Sequence, residues 1–231
     1  MSTSPTKLTA LPLFPLNTVL FPGGSLPLRI FEVRYLDMIG TRHKAGQPFG
    51  VVCLSEGSET RRRSSGTAAG GEPAGDGFAH EAFFSIGTLA RITKLERPQP
   101  GLMMIACVGS QRFRVARSEQ LKHGLWVADV ELVADDAEVP VPEDLNDTRE
   151  ALQAVVRDIE LDIAKNGVDT FAAPLLKPYH WDDCGWLANR WCELLPLEPE
   201  TKQRLMSLDS PVLRLELVAD ALGQIGFDLP E

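Results

Sequence analysis

The residues best equipped for chemistry cluster in Pro178-Tyr179-His180-Trp181-Asp182-Asp183-Cys184, with Cys192 eight residues further on. His180, Cys184 and an aspartate are the types of a nucleophile–base pair, or of half a metal site. The spacing serves that chemistry only if the helix already includes His180, because i to i+4 then places imidazole and thiol on one face. Two adjacent aspartates are explained more simply as N-cap and first-turn residues favoured by the helix dipole. Cys184 and Cys192 are then small buried apolar groups. On that reading no catalytic residue, metal ligand or cofactor is assigned.

Other catalytic signatures are missing. The sequence has no Gly-x-x-x-x-Gly-Lys-Ser/Thr loop, no Gly-x-Ser-x-Gly elbow, no His-Glu-x-x-His pair and no Cys-x-x-Cys. His43, His80, His123 and His180 fall in four separate segments. Trp181, Trp186 and Trp191 are spaced by five and so wind around a helix instead of forming one stripe. At least one of them is expected at the surface or against another subdomain. Packing is their plainer use, and an aromatic contact surface the sharper one. Arg61-Arg62-Arg63 lies in the Gly- and Ser-rich stretch Ser55–Gly77, expected as a mobile hairpin loop whose tip is simply solvated.

The elements that must position these residues divide the chain in two. Residues 1–142 carry 15 basic and 14 acidic side chains, whereas residues 143–231 carry 8 and 18. The whole chain of 231 residues has net charge -9 and 44% apolar residues, enough for a sizeable core. That balance argues against a dedicated nucleic-acid binder. Four scattered cysteines are too few for a disulfide scaffold and point to a cytoplasmic protein with reduced thiols. Leu8–Leu28 carries no charge, but Pro12, Pro15, Pro22 and Pro27 make it a poor membrane helix.

In the front half, short apolar runs recur at Leu8–Leu13, Leu26–Ile30, Pro48–Leu54, Phe83–Leu95, Leu102–Val108, Gln111–Ala116 and Trp126–Val133. They predict a barrel or sandwich of short strands, interrupted by one helix at about Glu32–Ile39. Gly101 and Gly109 are expected to punctuate the run Leu102–Val108, which is apolar enough to be buried on both faces. Alternation turns Phe113 and Val115 inward and both Arg112 and Arg114 outward. The back half reads as helices. One runs over Leu152–Ile163 and ends near Gly167. A second starts at Asp182 or Asp183 and reaches about Leu194, and a short one begins at Pro199. The last has Ser210 as N-cap, with an expected buried face of Val212, Leu213, Leu217, Ala221 and Ile225.

The run Leu11-Pro12-Leu13-Phe14-Pro15-Leu16 through Phe21-Pro22-Gly23-Gly24, followed by Leu26-Pro27-Leu28-Arg29-Ile30-Phe31-Glu32-Val33-Arg34-Tyr35, resembles the opening of the Lon protease N-terminal domain. The resemblance continues through Phe49-Gly50-Val51-Val52, Ile86–Ala90 and Gly109–Phe113, and reaches Leu194–Leu197 and Lys202–Met206. It implies an α+β fold: a PUA-like β pseudo-barrel over residues 1–140, with 55–77 as an insertion, followed by a C-terminal helical bundle over 141–231. The chain stops at Glu231, before any ATPase or Ser–Lys peptidase, so the resemblance implies a stand-alone, non-enzymatic member. Its partners would be unfolded or tagged protein substrates, or a protease that it serves as an adaptor. Nucleic acid and membrane are not expected among them.

Most residues of the opening motif have a structural explanation, with Arg29 or Arg34 free to pair with Glu32. The candidate partner-binding residues are Phe21, Arg29, Phe31, Arg112, Arg114, Trp181 and Trp186. The alternative is an RNA-binding PUA-like protein, with Arg112 and Arg114 joining Arg91 and Lys94 in a basic stripe.

Overall fold

The computed structural model describes residues 6–56, 81–167, 171 and 175–227. Most of the Ser55–Gly77 loop, its arginine triplet and His80 lie outside these residues. Six strands and five helices follow one another as β1 (Lys7–Leu16), β2 (Ser25–Ile30), α1 (Val33–Ala45), β3 (Phe49–Glu56), β4 (Ala82–Gln99), β5 (Leu102–Gln120), β6 (Trp126–Leu132), α2 (Asn146–Asn166), α3 (Cys184–Leu194), α4 (Pro199–Met206) and α5 (Pro211–Gln224). The fold is α+β, as expected.

Its sheet runs β2-β5-β4-β3-β1-β6, and a further β5–β6 pairing closes five of the strands into a ring. The long strand β5 makes this possible. One of its ends carries β2, from Met103 to Val108, and the other carries β6, from Phe113 to Gln120. Among the described strands, only β1 and β3 pair in parallel. All five ring strands point side chains into one apolar cluster: Leu11 and Leu13, Val52, Leu89, Phe113, and Ala128 with Val130. Phe14, Ile30, Phe49 and Ile105 form a second cluster beneath Tyr35, Met38 and Ile39 of α1. A third joins the helices to the ring, because Phe21, Cys53 and Ile86 pack with Leu152, Leu187, Trp191, Leu215 and Val218. Burying each such side chain contributes roughly 1.5–3 kcal/mol.

Four sequence expectations change. Gly109 does not end a strand, since β5 runs through it. With no side chain, it lets β5 lie directly on the Phe21 carbonyl, a space that a Cβ would fill. Gly23, at φ 76°, donates its N–H to the Gly109 carbonyl, and Gly109 donates to that of Gly24. The glycines thus make one crossing, where the sequence suggests two interruptions. Second, Leu102–Val108 is not buried on both faces along its length, as Leu102, Met104 and Val108 stay partly accessible. Third, α1 extends past Ile39 to Ala45, where Gly46 closes it in the left-handed conformation.

The fourth change concerns α5. Ser210 caps it as expected, accepting from the Leu213 N–H. The buried face, however, is Arg214, Leu215, Val218 and Leu222, which leaves Leu213, Leu217 and Ile225 exposed. A buried arginine explains the difference, because a charge disguises the face that carries it. The start of α3 is as expected: the Asp183 carboxylate accepts from the Trp186 N–H at 2.8 Å and from the Val139 N–H at 3.2 Å.

Candidate protein-binding site

Strand β2 lies at the end of the sheet and pairs only with β5 among the described residues. It borders a groove of about 170 Å³, lined by Phe14 and Leu16 of β1, Pro27–Ile30 of β2, the Phe31-Glu32 turn and Tyr35 of α1. Two apolar side chains stand at this turn in solvent: Phe31 is 58% exposed and Val33 is 72% exposed. Single exposed apolar groups are ordinary, as Leu161 and Leu213 show, but these two stand together at the mouth of a groove.

The turn that presents them is held from below. Arg34 is buried and donates to Glu32 at 3.0 Å, to Glu81 at 3.2 Å and to the Gly124 carbonyl at 2.7 Å. Glu32 in turn accepts, through its carbonyl, the N–H groups of Tyr35 and Leu36. Of the two arginines open to Glu32, Arg34 is therefore the partner. Arg29 is exposed, with no ion pair or hydrogen bond among the described residues.

Trp181 and Trp186 come together elsewhere, in a separate cluster. Their ring centroids are 5.1 Å apart, and Tyr179 lies 5.1 Å and 5.9 Å from them. A groove of about 470 Å³ runs beside Trp181, between Glu138–Pro140 and Tyr179–Asp183. Trp191 is buried and donates its indole N–H to the Thr148 carbonyl at 2.9 Å. The Cys184 thiol is buried too, 3.4 Å from the Pro140 carbonyl, and burial pushes its pKa up. A thiol so placed is a poor nucleophile. Among the described residues, no group of three or more His, Cys, Asp or Glu is placed to hold a metal ion.

Two candidate contact residues are corrected. Phe21 is fully buried, in the core between ring and helices. Arg112 is 4% exposed, not outward in solvent. Alternation does put it on the face opposite Phe113, but α4 and α5 cover that face. It donates to the Met206 and Leu208 carbonyls at 2.8 and 2.9 Å and to Asp136 at 2.8 Å. Arg114 remains exposed. Lys94 pairs with Glu96 at 3.0 Å and lies over the Phe171 ring. The expected basic stripe therefore loses Arg112 to the interior, and Lys94 is engaged.

The sequence also hides a second junction. Arg190 of α3 donates to the Pro22 carbonyl at 2.9 Å and to both oxygens of Glu193. This fixes the Pro22-Gly23-Gly24 turn onto the helical half. Burial pushes the Glu193 carboxyl above its ordinary range, against the pull of Arg190. Nothing in the local sequence separates Arg190 from a solvated helix arginine. Among the described residues, no helix is long and apolar enough to cross a membrane.

These features match a known family of folds. Residues 10–224 match the family model of the ATP-dependent protease La (LON) substrate-binding domain. A Lon protease of Anaeromyxobacter dehalogenans (strain 2CP-C) is 31% identical over a stretch covering 56% of this chain. That stretch is only 14% of the relative's length. The crystal structure of a Lon N-terminal domain protein from Xanthomonas campestris superposes with a TM-score of 0.68 at 26% identity, covering 92% of this chain and 98% of that one. The N-terminal domain of a Mycobacterium avium complex Lon protease shares the fold, with a TM-score of 0.52 at 15% identity, over 91% and 96% of the two chains. From its opening strand to its last helix, this chain belongs to the Lon substrate-binding domain family.

Proposed function

We propose that this chain is a protein-recognition module that holds unfolded or tagged polypeptide and presents it to a protease, without making or breaking bonds itself. The observation that carries the reading is the exposure of Phe31 and Val33 on a braced turn beside the groove along β2. Apolar side chains are what an unfolded chain exposes and a folded one hides, so such a surface distinguishes the two. The division near residue 140 into a strand half and a helical half belongs to the same proposal, with the strand half supplying the contact surface. The family membership and the Lon protease relative support it.

The test is fluorescence anisotropy with one labelled protein in its folded form and in a permanently unfolded form. Binding of the unfolded form alone is expected, weakened at least tenfold by Phe31→Ser combined with Val33→Ser. Equal binding by the double variant, with its fold intact, would remove the site. Single-stranded RNA is expected not to compete; competition would favour a nucleic-acid role instead.

A further inference from the structure

We infer that the groove along β2 selects extended segments carrying a carboxylate two residues from a bulky apolar side chain. This rests on the protein-recognition reading above and names the class of segment recognised. Three observations converge. The first is the free edge of β2, whose outward side has no strand partner among the described residues. Pro27 has no N–H to give to β5, so its position is one whose backbone turns away from that strand, where an incoming strand meets its carbonyl alone. The two-residue period then turns the backbone of Arg29 to the same free edge, where an incoming strand can pair with its N–H and carbonyl.

The second observation is apolar. Phe14, Leu16 and Leu28 line the groove, and Phe31 stands exposed at its mouth. The third is the charge. Arg29 lines the same groove with its guanidinium unpaired among the described residues, while the neighbouring Glu32 is already held by Arg34. Arg34 is shared by Glu32 and Glu81, so the cluster sums to no net charge with Arg29 included, and Arg29 is the charged group lining the groove whose partner a ligand can supply. Phe31 lies just past the end of β2, and it and Arg29 are both exposed on either side of the buried Ile30. A ligand strand with an acidic and an apolar residue at the same spacing matches both at once. A basic residue in the acid's place meets like charge instead.

Two fluorescein-labelled heptapeptides test this: Gly-Thr-Leu-Thr-Asp-Thr-Gly and a twin with Lys for Asp. Wild type is expected to bind the Asp peptide about five- to tenfold tighter, with the gap shrinking as salt rises. Arg29→Glu is expected to reverse the preference toward the Lys peptide while leaving the melting temperature unchanged, since Arg29 has no partner to lose. Methylating the backbone nitrogens of the Asp peptide should weaken it tenfold if strand pairing contributes. Equal binding of the twins, unchanged by Arg29→Glu, overturns the inference and leaves the apolar reading standing. Failure of both peptides, while the unfolded protein still binds through Phe31 and Val33, overturns it as well. If that protein binds without regard to Phe31 and Val33, the underlying reading falls too.

Discussion

Arg112 of β5 and Arg214 of α5 close on one carboxylate: the Asp136 oxygens lie 2.8 Å from the first guanidinium and 2.6 Å from the second. Both arginines are almost fully buried, and both also donate to carbonyls around the end of α4. Asn189 of α3 accepts from Arg214 at 3.0 Å. One acidic side chain between β6 and α2 thus ties the strand ring to three helices. Burial lowers the Arg112 pKa, and the nearby Asp136 opposes that effect.

Asp136→Ala should therefore leave two buried guanidinium groups without their counter-charge. The expected loss is about 3–5 kcal/mol of stability, read as a lower urea midpoint. A change under 1 kcal/mol would mean that the arginines are satisfied by the carbonyls alone.

Phe21 and Phe31 make an opposed pair of probes. Phe21→Ala removes a fully buried ring and should cost about 3–5 kcal/mol. Phe31→Ala should stay within about 0.5 kcal/mol in thermal melts, because its ring is already largely in water.

At Gly109, an added methyl group would press on the Phe21 backbone, which cannot swing aside as a side chain can. Gly109→Ala is expected to cost about 1–3 kcal/mol. The companion change Gly101→Ala meets no neighbouring atom within 4 Å, but its φ of 77° makes it strained for a different reason. Only the first should disturb the packing of Leu20 and Phe21, visible in methyl and aromatic NMR shifts.

Cys53, Cys107, Cys184 and Cys192 are all buried free thiols. Burial pushes Cys107 and Cys192 up to about 12, from an ordinary value of 9.0. In the unfolded chain they ionise near pH 9 while the folded protein still holds their protons. Their contribution to stability is thus intact below pH 9 and is lost between pH 9 and about 12. A disulfide-exchange reagent at pH 8 should find all four thiols only after denaturant is added.

Helix starts were the most legible part of this sequence, because Asp183, Pro199 and Ser210 act on backbone groups within a few residues of themselves. The ring strands were legible as apolar runs, but not their joining across Gly109, which depends on the distant Phe21 carbonyl. The same distance hid Arg112 and Arg214, whose shared partner lies 24 and 78 residues away. Local pattern assigns a charge to solvent by default, and only tertiary structure supplies the exception. At the candidate site, Arg29 and Phe31 belong to the opening motif and share one groove. Val33 is not legible there, since a valine entering a helix gives no sign of which way it faces.

The β1–β6 seam has a consequence for how the chain is made. β1 pairs with β6 from Lys7 to Leu13, joining residues more than a hundred positions apart. A ribosome emitting the N-terminus first releases β1 long before Trp126–Leu132 exists to cover it. Until then, that stretch of Leu8, Leu11 and Leu13 has a bare backbone edge and can find the wrong neighbour. Ring closure is accordingly a late and entropically costly event, so refolding should be slow relative to helical proteins of equal size.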